Sequence, residues 1–198
     1  MTFPHQDPFT WFHAELKKAV EAKIVDPNAM QLATVSKDGT PSVRTVLFKG
    51  LLRDGFTFYT NYDSPKAKDL VATKKAALNF FWAELAQQIR IDGVVEKLSR
   101  AESEDYFRSR PRLSQIGAWA SAQSETISDF KQLEERVREF EKKFENQEVP
   151  CPENWGGFVL FPLRIEFWFG RIGRLHERFV FERDDVKSSQ WRQYLKSP

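Results

Sequence analysis

A chain of 198 residues with 30 Lys and Arg against 28 Asp and Glu has a formal charge of +2, too small a field to recruit nucleic acid or an anionic membrane by itself. One cysteine, Cys151, and three histidines, His5, His13 and His176, exclude an intrachain disulfide framework and argue against a Cys- or His-based metal centre. The length suits one domain, 1–198; without a leader-like start or a membrane-length apolar run, the expected location is the cytoplasm, with the thiol reduced. The remaining oddity is the aromatic load, with 18 Phe and 6 Trp beside a mean hydropathy of -0.54. Such rings can fill a core, a subunit interface or a pocket for a flat ligand.

In chain order, Phe9, Phe12, Leu16, Val20 and Ile24 recur at helical spacing, predicting an amphipathic helix over about 9–24 that Asp26-Pro27-Asn28 stops. MQLATV, the turn Lys37–Thr40, SVRTVLFKG, a turn at Asp54-Gly55 and FTFYTN read as an antiparallel meander. Ser64 and Pro65 suit the N-cap and first position of a helix to about Lys74. AALNFFW and QQIRIDGVVEKLS are further strands, and Ser99-Arg100-Ala101-Glu102 has the form of a capping box opening a helix that Pro111 ends. Ser128–Glu145 carries Phe130, Leu133, Val137, Phe140 and Phe144 on one stripe, expected to pack on the barrel or a partner subunit. GFVLFP, RIEFWFG and LHERFVFER close the chain as strands. The fold class is α+β: an antiparallel, nearly closed barrel with peripheral helices.

Four groupings could carry chemistry. Arg44 and Lys49 have odd separation in a strand with apolar residues between them, so they are expected on opposite faces of a strand covered on both sides. Each then needs an anion, a carboxylate or a ligand phosphate. Lys66 falls in the first turn of a helix, where the dipole favours anions, or it is an ordinary surface lysine. Tyr106 and Arg110 share a helix face, with Arg108, Arg112 and Ser114 nearby; the set suits a phosphate, a solvated patch or an RNA contact. Alternation places Arg174, His176 and Arg178 on one face and Leu175 and Phe179 toward the core, leaving the imidazole between two cations neutral and able to relay a proton. Gln88 can hydrogen-bond a heterocycle, and Trp168 can serve as core or ligand wall. No P-loop, GxGxxG, nucleophile elbow or HExxH is present.

The segments MQLATVSKDGTPSVRTVLFKG, FTFYTN, FRSRPRLSQIGAWAS, WGGF, RIEFWFG and RLHER resemble the pyridoxine/pyridoxamine 5′-phosphate oxidase family, in the same order, over about 7–181. The resemblance implies an FMN-binding split β-barrel, a homodimer with FMN at the subunit interface, and C-terminal dimerisation strands over about 156–198. It implies oxidation of pyridoxamine or pyridoxine 5′-phosphate to pyridoxal 5′-phosphate, with O2 as acceptor and hydrogen peroxide as product. Position by position, flavin contacts would be Arg44, Thr45, Val46, Leu47, Phe48, Lys49, Tyr59, Thr60, Lys66, Gln88, Gln123, Ser124, Trp168 and Arg178. Substrate would be met by Lys49, Tyr106, Arg110, Ser114, Arg174, Leu175 and His176, with Arg174 and His176 over the reacting ring.

Three departures from the family pattern stand out. Pro65 occupies a position where many relatives carry arginine, which is expected to weaken FMN binding without abolishing it. The chain starts close to its first helix, and its last eight residues, Trp191–Pro198, match the family ending only loosely. A flavin oxidase of another reduced aromatic, such as a phenazine precursor, and a non-catalytic flavin- or pyridoxal-phosphate-binding module are the alternatives.

Overall fold

Capping and turn chemistry set the element boundaries. In the computed structural model, which describes residues 3–198, the Thr10 N–H donates to the Asp7 carboxylate at 2.7 Å and Pro8 presets the first turn of α1 (Pro8–Glu21). The helix stops before Ile24, and Val20 is exposed; the buried stripe is Phe9, Trp11, Phe12, Glu15 and Ala19 instead. Strands β1 (Ala29–Val35) and β2 (Pro41–Leu47) form one hairpin and β3 (Leu51–Leu52) and β4 (Gly55–Asn61) another, followed in the chain by α2 (Pro65–Thr73), β5 (Lys75–Trp82) and β6 (Gln87–Lys97). This is not the continuous meander expected, because β1 goes on to pair with β5 and β4 with residues 155–160, far along the chain. Ser99 and Glu102 make both hydrogen bonds of the capping box that opens α3 (Arg100–Ser109). Pro111 ends α3 but also serves as N-cap residue of a helix absent from the sequence reading, α4 (Arg112–Ala120). The later helix, α5 (Phe130–Lys143), is capped by Asp129, whose carboxylate accepts from the Gln132 N–H, and is shorter at both ends than the expected 128–145. Its apolar stripe packs on α4 through Trp119 and Phe140, 5.7 Å apart, rather than on the barrel, and Phe130 is exposed.

The expected GFVLFP and RIEFWFG strands are one, β7 (Trp155–Phe169), which runs through Pro162. It tolerates proline because it changes partner there: 155–160 pair with β4 and 164–169 with β8 (Glu177–Glu182), while β6 shifts register at Asp92/Gly93. The tail adds a strand, β9 (Arg192–Leu195), on β8. The sheet order is β2-β1-β5-β6-β7-β4-β3, with β8 and β9 branching from β7. Lys49 N–H donates to Thr57 O at 2.9 Å, and Thr57 N–H to Gly50 O at 3.0 Å, so the β2–β3 link closes the barrel's ends against β4. This is the antiparallel split barrel with peripheral helices expected of the α+β class.

Helix α1 covers the barrel core with rings: Phe12 sits 4.9 Å from Phe56 and 5.1 Å from Phe80, and Trp11 stacks on Phe167 at 4.2 Å. A second apolar cluster, Phe107, Ile116, Phe144, Val149 and Trp155, lies under α3–α5. The β6 irregularity depends on Gly93, where a Cβ would fall 2.1 Å from the carbonyl oxygen of Phe161. Gly93→Ala is therefore expected to cost roughly 1–3 kcal/mol, read as a lowered urea midpoint with unchanged m. Among the described residues no helix is long and apolar enough to cross a membrane.

Candidate active site

Between the barrel rim and the α3–α4 helices lies a cleft of about 550 Å³, lined among others by Lys49, Lys66 and Arg110 and by no carboxylate. Thr45, Val46, Leu47, Tyr59, Thr60, Tyr106, Ser114 and Gln123 share it. Three cations without an acidic neighbour make an anion site, because like charges gathered in a partly desolvated cleft are costly until a counter-charge arrives. Lys66 shows that cost: burial first, and then the Arg44 charge, hold its ammonium below the usual lysine range. Its Nζ donates to Thr60 Oγ1 at 3.1 Å and to Gln123 Oε1 at 2.9 Å.

The three arginines of 108–112 separate by role. Arg108 pairs with Asp105 on the outer face of α3. Arg112 donates to the carbonyls of Phe144 at 2.6 Å and Gln147 at 3.0 Å, tying α4 to the end of α5. Only Arg110 enters the cleft, where its Nη1 is buried with no hydrogen-bond partner among the described residues. Tyr106, four residues earlier, stacks on Tyr59 at 3.8 Å and 16°. Burial, reinforced by Tyr106, pushes the Tyr59 phenol up to about 12. A raised pKa favours the native state below pH 10 and loses that contribution as pH climbs from about 10 to about 12. Absorbance titration at alkaline pH is expected to show a late-ionising tyrosine that Tyr59→Phe removes.

Arg44 and Lys49 do not share a strand, because β2 ends at Leu47, so strand alternation does not set their faces. Nor is β2 covered on both sides: it is an edge strand, and Val43 is 69% and Leu47 41% exposed. Lys49 has no ion-pair partner among the described residues, whereas Arg44 is tethered: its Nη1 donates to Thr34 Oγ1 at 2.8 Å, which donates to Asp69 Oδ2 at 2.9 Å. Asp69 of α2 thus holds Arg44 through the fully buried Thr34. Ser64 occupies the N-cap position, but its hydroxyl donates back to Asn61 O at 2.7 Å, so no side chain caps α2. Phe48, expected among the flavin contacts, is a core residue: it is 6% exposed and lies 5.2 Å from Phe12. Its N–H donates to Asn28 O and its carbonyl accepts from Asn28 Nδ2.

A second group lies away from this cleft. Gln88, Trp168 and Arg178 are register neighbours on β6, β7 and β8, and the His176 ring is 4.6 Å from that of Trp168. None of them lines the cleft. The expected alternation fails before Glu177: 172–174 form a short turn of 3-10 helix, Arg174 has φ +62°, and Leu175 is 74% exposed rather than turned to the core. Arg174 has no hydrogen-bond partner among the described residues, while Arg178 is engaged with the buried Glu166 at 2.7 Å and with Ser197 O at 3.0 Å. The positive row therefore reduces to Arg174. His176 Nδ1 accepts from the Arg171 N–H at 3.1 Å, so in the neutral imidazole the proton sits on Nε2, which becomes a donor. Ser124, beside Gln123, has φ +71° and is exposed outside the cleft lining.

Trp155, Thr34, Asp69 and Glu166 were not among the site residues expected from the sequence. A carboxylate inside the apolar run IEFWF was a readable signal for Glu166, since a buried charge needs a partner. Trp155 stood in the quoted WGGF segment but had no local pattern marking it as a cleft wall.

A split barrel with a carboxylate-free cationic cleft on its rim defines a barrel protein that takes phosphorylated or otherwise anionic ligands. The family described as Pyridoxamine 5′-phosphate oxidase matches residues 16–144, and the Pyridoxine 5′-phosphate oxidase C-terminal dimerisation region matches 155–198. The chain is 50% identical over 192 residues to the pyridoxine/pyridoxamine 5′-phosphate oxidase of Leptospira interrogans, covering 97% of this chain and 89% of that protein. Among solved structures, it is similar to PhzG of Burkholderia lata 383 in complex with tetrahydrophenazine-1-carboxylic acid (TM-score 0.91, 29% identity, 100% and 98% of the two chains). It shares its fold with a pyridoxamine 5′-phosphate oxidase-related, FMN-binding protein of Nostoc punctiforme (TM-score 0.77, 18% identity, 100% of both chains). The chain belongs to the pyridoxamine 5′-phosphate oxidase family.

Proposed function

We infer that this protein is a homodimeric, FMN-dependent oxidase that converts pyridoxamine 5′-phosphate and pyridoxine 5′-phosphate to pyridoxal 5′-phosphate. Half-identical relatives named for that reaction, against 29% for the phenazine-related PhzG, favour the vitamin substrate over another reduced aromatic. The observation that carries the reading is the cleft with Lys49, Lys66 and Arg110 and no carboxylate.

The residues present fit two phosphorylated ligands. The tethered Arg44, the half-buried Lys66 and the uncapped start of α2 suit the FMN phosphate, with Thr60 and Gln123 hydrogen-bonded to Lys66 and Ser124 next in the chain. Thr45, Val46, Leu47 and Tyr59 would flank the flavin, and Pro65, exposed at the first position of α2, supplies no charge there. Lys49, Tyr106, Arg110 and Ser114 suit the substrate phosphate. FMN, when bound, supplies the redox chemistry, taking two electrons from the substrate and passing them to dioxygen with release of hydrogen peroxide.

The chain's own residues bind, orient and hold protons. Arg174 and the Nε2–H of His176 would meet the substrate ring and its phenolic oxygen, with Leu175 beside them. Gln88, Trp168 and Arg178 would meet the flavin from the same side. Because that group does not line its own chain's cleft, each complete site would combine the cleft of one protomer with the Arg174–Arg178 side of its partner.

The test is direct assay. Purified, FMN-loaded protein given pyridoxamine 5′-phosphate in air is expected to form pyridoxal 5′-phosphate with matching O2 uptake. Neither product nor O2 uptake with either phosphorylated substrate would sink the proposal.

A further inference from the structure

Arg110 presents an unusual physical problem: a half-buried guanidinium with a buried, unpartnered Nη1 in a cleft that contains no carboxylate. An acidic partner would orient it by its N–H edge and cancel its charge. The chain instead orients it by its face. Its Cζ lies 4.6 Å from the centroid of the Trp155 ring and 5.5 Å from that of Phe107, within the range of a cation–π contact, for which indole is the best of the aromatic faces.

Trp155 is itself rigidly placed. It is 6% exposed, opens β7 in register with Asn61, and stands edge-on to Phe107 at 5.0 Å. Tyr59 stacks parallel to it at 5.4 Å and 11°. The next residue, Gly156, has no room for a Cβ, which would fall 2.1 Å from the Tyr62 hydroxyl, so the backbone here is fixed against the barrel.

We infer that Trp155 is a positioning residue for phosphate recognition: its indole face orients Arg110 while leaving the guanidinium's charge and N–H fork free for a phosphate dianion. This rests on assigning the Lys49–Arg110 side of the cleft to the substrate phosphate. Holding an arginine by its face consumes no donors, and the bound phosphate then supplies the missing partner of Nη1. Trp155 thereby sets selectivity for the phosphorylated vitamer over the same ring without phosphate.

The experiment compares FMN-loaded wild type with Trp155→Leu, Trp155→Phe and Arg110→Met. It measures kcat and KM for pyridoxamine 5′-phosphate and for pyridoxamine, and the Ki of inorganic phosphate as competitor. Trp155→Leu is expected to raise KM for the phosphorylated substrate and Ki for phosphate about tenfold. Its kcat is expected to stay within about twofold and its KM for pyridoxamine to be unchanged. Trp155→Phe, which keeps a weaker ring face, should recover most of the loss, and it carries the test if the leucine variant does not fold. Unchanged phosphate Ki in the Trp155 variants beside a raised Ki in Arg110→Met would overturn the role of Trp155 alone. Equal loss with both substrates would also overturn it, as a general packing defect. An Arg110→Met enzyme with phosphate selectivity intact would overturn the cleft assignment and this inference with it.

Discussion

Arg174→Ala is expected to lower kcat about a hundredfold, the scale of losing orientation at a reacting centre, while FMN content and dimer content stay at wild-type levels. Arg174 makes no hydrogen bond or ion pair within the described chain, so its removal breaks nothing structural. Its backbone lies in the left-handed region at φ +62°, directly after Gly173 at φ +70°. A non-glycine residue held there costs on the order of 1 kcal/mol, so the substitution retains the strain and deletes only the guanidinium. Steady-state kinetics on the FMN-loaded variant, with flavin absorbance as the measure of retention, checks this. Flavin loss in parallel with turnover would contradict the proposed role.

The second large effect runs the other way. Arg44→Ala is expected to weaken FMN affinity roughly tenfold to a hundredfold, as a charge-assisted bond of about 1.5–3 kcal/mol is lost, with kcat at saturating FMN close to wild type. The tether predicts a graded series. Asp69→Asn keeps the hydrogen-bond acceptor for Thr34 but removes the charge that steadies Arg44, so its loss should be smaller. Titrating the apoprotein with FMN and following quenching of flavin fluorescence gives the ratio. Equal FMN affinity in wild type and Arg44→Ala would remove Arg44 from the phosphate site.

What the sequence showed of this site followed from local geometry. Tyr106 and Arg110 both reach the cleft, but only Tyr106 does so by helix phase: α3 ends at Ser109, and Arg110 is its C-cap residue in extended backbone at ψ 148°. The two hairpins β1–β2 and β3–β4 were equally legible, since their turns carry their own chemistry, but their separation in the sheet by β5, β6 and β7 was not. Proline misled twice. Pro111 stops α3 yet precedes α4, and Pro162 interrupts nothing, because β7 exchanges β4 for β8 around it. Both depend on tertiary partners that a local reading does not contain. The same holds for Arg174–His176, where strand parity was applied to residues that turn, and for Lys49, which lies beyond the end of its strand. Arg44 shows the remaining limit: its anchor, Asp69, is 25 residues away, and only folding brings Thr34 between them.

The central claim, that each site joins the cleft of one protomer to the Arg174–Arg178 side of another, is tested most directly by complementation. Arg110→Met and Arg174→Ala homodimers, each nearly inactive, are unfolded together, refolded as a mixture and assayed with pyridoxamine 5′-phosphate. Random pairing makes half of the dimers hybrid, each with one intact site out of two, so activity should return to about a quarter of wild type. A mixture no more active than its parents would contradict the account, placing Arg110 and Arg174 in sites built within single protomers.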